Sequence, residues 1–67
     1  MPADAVPSDA EIVAAAYAER VRDLFKVFAE GIYTGEPERD AAVRFRRGLV
    51  SARRAYAAAI EVVREAG

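Results

Sequence analysis

Six arginines fall between positions 39 and 54 of this chain, against a single acid, Asp40. They are the residues whose type and spacing could do chemistry. Arg39, Arg46 and Arg53 recur every seven residues, and Arg47 and Arg54 repeat the interval beside them. On a helix a seven-residue step drifts by only about 20°, so the spacing predicts two rows. Val43, Val50 and Ala57 keep the same interval between the rows. Guanidinium groups grip phosphates or carboxylates through two parallel hydrogen bonds, and the valines supply apolar surface for a partner to cover. The candidate partner-binding set is therefore Arg39, Val43, Arg46, Arg47, Val50, Arg53 and Arg54. A structural reading competes with it. The arginine stems would cover the edge of a core while their heads pair with Glu19, Asp23 or Glu30.

Catalysis has little to work with. The chain has no histidine and no cysteine, so it lacks the commonest general base, the commonest metal ligand and any thiolate nucleophile. There is no Ser/His/Asp or Cys/His set, no GxxxxGK[ST] and no GxGxxG. The di-iron pattern of helical bundles needs Glu-x-x-His, which this chain cannot complete. No catalytic, cofactor-binding or metal-ligating residue is assigned, and the chain is expected not to be an enzyme.

The arginines leave two partner classes. Nucleic acid is one, since phosphates need a row of cations and such binding weakens steeply with salt. A net charge of −1 argues against it, because dedicated binders are usually basic. An acidic helix on another protein is the other, and the preferred, class. Charge is also uneven along the chain. Residues 1–35 carry a balance of −3 and residues 36–67 one of +2, a pattern that suits a partner surface or two complementary halves of one hairpin.

Two helices must position these residues. Residues 1–7 hold two prolines and no periodicity, and read as a disordered or extended lead-in. Ser8-Asp9-Ala10-Glu11 then fits a capping box. A first helix is expected from about 9 to 33, with the apolar stripe Ala10, Ala14, Tyr17, Val21, Leu24, Phe28 and Gly31, widened by Ala18, Phe25 and Ile32. Thr34-Gly35-Glu36 reads as the turn, with Gly35 left-handed and Pro37 in the first position of the next helix. The second helix is expected from 37 to about 66, with the stripe Ala42, Phe45, Leu49, Ala52, Tyr56, Ala59 and Val63. Ala41, Gly48 and Ala55 repeat every seven residues on its flank, where small residues let another helix come close. Alternatively, Gly48 merely avoids a clash with Phe45 or Tyr56. Tyr17, Phe25, Phe28, Phe45 and Tyr56 read as core. Tyr33 falls off the stripe beside the turn, to pack on the loop or meet a partner.

So short a connection makes the helices antiparallel neighbours. Residues 8–67 form one domain of the all-α class, and a 67-residue chain is marginal alone. Both stripes are broader than a two-helix seam can hide, and a lone hairpin would leave Phe25, Ile32, Ile60 and Val62 against water. Pairing two hairpins into a four-helix bundle, as a homodimer, hides them; docking on a different protein would do the same. Length and heptads over residues 8–66 resemble the Rop family, plasmid copy-control RNA-binding proteins whose two-helix hairpins dimerise into a four-helix bundle. The likeness carries no shared motif, so no residue role follows from it.

No run of about 20 apolar residues is present to span a membrane, and the acidic start does not suit a signal peptide. A membrane-surface helix would need an apolar face without a partner, whereas the second helix has one in the first. The expected location is the cytoplasm. The expected function is a small non-enzymatic interaction or assembly module, working through self-association and the arginine face. The alternative is a small nucleic-acid-binding regulator using the same arginines.

Overall fold

The structure, a computed structural model, describes residues 6–66. The expected lead-in falls on residues 1–5 outside this range, and within it Val6 and Pro7 are exposed and belong to no helix. Two α-helices follow, α1 (Asp9–Tyr33) and α2 (Glu38–Ala66), packed against each other as a helical hairpin.

Each boundary has a chemical cause. Ser8 caps α1 with both halves of the capping box: the Glu11 amide donates to Ser8 Oγ at 3.1 Å, and the Ser8 amide donates to Glu11 Oε1 at 2.9 Å. The Ser8 backbone amide first, and the Ser8 hydroxyl second, hold the Glu11 carboxyl below its ordinary pKa. At the other end the Glu36 amide donates to the Gly31 carbonyl (2.9 Å) and the Gly35 amide to the Ile32 carbonyl (3.2 Å). This is the two-bond Schellman closure. It requires a left-handed residue, and Gly35 supplies it with φ +96°. Thr34 Oγ1 donates to the Glu30 carbonyl at 3.0 Å, a second bond to an oxygen that already accepts the Thr34 amide at 2.9 Å. Pro37 was expected as the first residue inside the second helix. It sits one residue earlier, where its carbonyl accepts from the Asp40 and Ala41 amides at 3.0 and 3.1 Å. It therefore opens the hydrogen-bond ladder from the capping position, and Glu38 and Asp40 occupy the first turn.

The seam is zipped by aromatic pairs. Near the turn, Phe28 and Phe45 stack with centroids 5.1 Å apart; farther out, Tyr17 and Tyr56 meet at 4.8 Å. Later residues of α2 meet earlier residues of α1, so the helices are antiparallel. Each such pair is worth about 0.5–1.5 kcal/mol beyond the area it buries.

Ala41 and Gly48 lie in the seam itself, not on its flank, whereas Ala55 is exposed. Ala41 is the most buried residue at 1% exposure. A Cβ on Gly48 would overlap the side chain of Leu24. Gly48 thus gives room to α1, and the alternative of avoiding Phe45 or Tyr56 does not hold. At the start of α1 the seam passes through Val13, while Ala10 and Ala14 face water. A strict alternation of three and four follows a 3.5-residue period, and a straight helix drifts off it by about 20° each heptad. Phe25, expected in the core, is 57% exposed.

The hairpin is one helix thick. Its extents are 48 × 27 × 10 Å, and among the described residues Ala41 and Ala52 alone are buried. No described helix is long and apolar enough to cross a membrane.

Candidate interaction face

All seven candidate residues lie on α2, on the sides turned away from Ala41 and Ala52, which face α1. The helical period does this: Val43 and Val50 are each two residues from a seam position, close to half a turn round. Val43 is 40% and Val50 47% exposed. Arg39, Arg46, Arg47, Arg53 and Arg54 are exposed as well.

The structure separates these residues into two groups. Arg46, Val50 and Arg53 rim a shallow groove on one broad side of the hairpin, floored by Phe28, Phe45 and Leu49. Arg39 continues that row by its seven-residue spacing. Arg47 and Arg54 lie beyond the valines.

The expected pairing with α1 is not seen. Among the described residues, none of these five arginines lies within ion-pair distance of Glu19, Asp23 or Glu30, or of any other acid. Glu19 pairs instead with Arg22 of its own helix at 2.8 Å. Asp23 lies in the groove on the opposite broad side, with Arg20, Val27 and Arg44. The acids of α1 and the arginine rows therefore look away from each other.

Arg44 behaves differently, and sequence reasoning missed its role. Its guanidinium grips the Glu36 carboxylate with both terminal nitrogens; the Nη2–Oε1 bond is 2.8 Å, and Nη1 donates to Oε2. The contact lowers the Glu36 pKa and raises that of Arg44. Gly31 makes it possible, because a Cβ there would overlap the Glu36 carboxylate. The pair spans eight residues across a turn, where the i,i+4 rule for one helix does not apply. The available signal was a glycine at the end of an otherwise apolar stripe, facing a turn glutamate.

Large apolar side chains are also exposed on both broad sides. Besides Phe25, exposure is 53% at Ile12, 59% at Val27 and 62% at Val62. Phe25 and Ile32 lie on the flank of α1 opposite Leu24 and Val27, hence on the side of the Arg46–Arg53 groove. Tyr33 is 87% exposed and does not pack on the loop. Among the described residues no group of three or more acids clusters as a metal site.

No protein-family model matches the chain, and neither a curated protein nor a solved structure shows significant similarity to it.

Proposed function

We propose that this chain is a small non-enzymatic interaction module that works as a self-associated pair of hairpins. One observation carries the reading: a layer about 10 Å thick with two buried alanines for a core. Stable domains bury apolar faces between at least two layers. Here the second layer is a second copy, packed on the broad side that holds Phe25, Ile32 and Leu49. The product is a four-helix bundle. Every exposed apolar Å² that it covers contributes about 25 cal/mol, and Arg46 and Arg53 form the charged rim of the contact.

Sedimentation equilibrium across micromolar concentrations, with circular dichroism on the same samples, tests this. The expected result is a helical dimer or larger bundle. A fully helical 7.3 kDa monomer would refute it. A nucleic-acid-binding regulator is the second reading, favoured by the arginines that find no acid within the hairpin. Labelled RNA or duplex DNA that stays unbound at about 50 mM salt removes it.

A further inference from the structure

We infer that the outer edge of α2 is a docking site for an acidic amphipathic helix of another protein. The inference rests on the interaction-module reading; the edge adjoins the self-association side and shares Arg46, Val50 and Arg53 with its rim. Three observations carry it.

The first is unanswered charge. Arg39, Arg46, Arg47, Arg53 and Arg54 form no ion pair among the described residues, while Arg44 takes the one carboxylate the turn offers. The second is apolar surface in the middle of that charge. Val43 and Val50 are 40% and 47% exposed and lie between the two arginine rows. A phosphate backbone gains nothing from valines, whereas a protein helix covers them. The third is periodicity. Valines and arginines all recur every seven residues, about 10.5 Å along the axis at 1.5 Å per residue. That is the repeat of a helix lying alongside, with one apolar residue per heptad on the valines and flanking carboxylates on the arginines.

The chain's own α1 is a poor occupant. Arg20, Arg22 and Lys26 interrupt its acids, and Glu19 is already paired with Arg22. The occupant is a foreign helix with leucine or isoleucine every seven residues and glutamate or aspartate on both sides of that row.

The test uses the full chain and three probes, followed by fluorescence anisotropy at 50 and 300 mM salt. One probe is a labelled 25-residue helical peptide with leucine every seventh position and glutamates flanking it. The second has each leucine replaced by serine, at equal charge. The third is a single-stranded RNA of similar length. The leucine peptide is expected to bind at micromolar concentration and the serine peptide at least tenfold more weakly. Val50→Ser should cost about tenfold and Arg47→Glu/Arg54→Glu more than tenfold, with circular dichroism unchanged in both. Equal binding of the two peptides would reduce the edge to a charge sink and overturn the inference, as would RNA binding without peptide binding. If Arg47→Glu/Arg54→Glu loses helicity, Arg47→Gln/Arg54→Gln replaces it, and undiminished binding by that variant counts against the inference. Sedimentation of the same samples separates the two proposals: a chain that binds the leucine peptide as a monomer retains this site and loses the self-association reading.

Discussion

At the scale of single residues, Gly35 and Glu36 decide how the hairpin closes. Gly35 holds φ +96°, a conformation that costs an L-residue about 1–2 kcal/mol. Gly35→Ala is expected to lower stability by about that amount in thermal melts followed at 222 nm, and Gly35→Asn by less. Glu36 adds a pH dependence. Its carboxyl is held below the ordinary glutamate pKa by the Arg44 guanidinium. A depressed folded-state value means stability that is present above the unfolded pKa, about 4.3, and lost as pH falls through the folded value. Arg44 stays charged throughout this range. Acid titration should therefore show helix loss beginning near pH 4, and Arg44→Gln should remove much of it. The remainder belongs to Glu11, whose pKa the Ser8 cap depresses in the same sense. Both carboxylates are at the surface, so 0.5 M salt should weaken the Glu36 contribution in particular.

At the scale of elements, the contact of α1 with α2 depends on what is missing at Gly48. Alanine in a helix interior is better than glycine by about 1 kcal/mol, so propensity alone predicts that Gly48→Ala stabilises. The structure predicts the opposite, because the new methyl overlaps Leu24. Overpacking costs about 1–3 kcal/mol, enough to cancel or exceed the gain. A double-mutant cycle gives the decisive reading. Gly48→Ala should lower the melting midpoint in the parent chain and raise it in a Leu24→Ala background. A gain in both backgrounds would mean that the helices are not held this close.

At the scale of the whole molecule, thickness is the controlling fact. A hairpin 10 Å deep has no interior for Phe25, which stays 57% exposed. If a second hairpin covers that side, Phe25→Asp places a charge in the interface, and its desolvation cost opposes association. The variant should shift sedimentation towards monomer and lose much of its helicity at micromolar concentration. Its melting midpoint should also lose any dependence on chain concentration. Val62→Asp is the control, since that residue lies near the C-terminal end of α2, away from the Arg46–Arg53 groove; an equal effect from both changes would place the contact elsewhere.

The helices, the Ser8 cap, the Gly35 turn and the antiparallel hairpin were all legible in the sequence. Such features depend on neighbours within a few residues, where periodicity and capping chemistry act directly. The two arginine rows were legible too, as a spacing. What surrounds them was not. That Asp23 lies on the far broad side, that Arg44 turns away to Glu36, and that Ala41 sits in the seam while Phe25 does not all follow from the rotation of each helix about its axis. Heptad counting leaves that rotation uncertain by the drift of about 20° per repeat. Tertiary packing resolves it, because Gly48 admits Leu24 and the aromatic pairs lock the register.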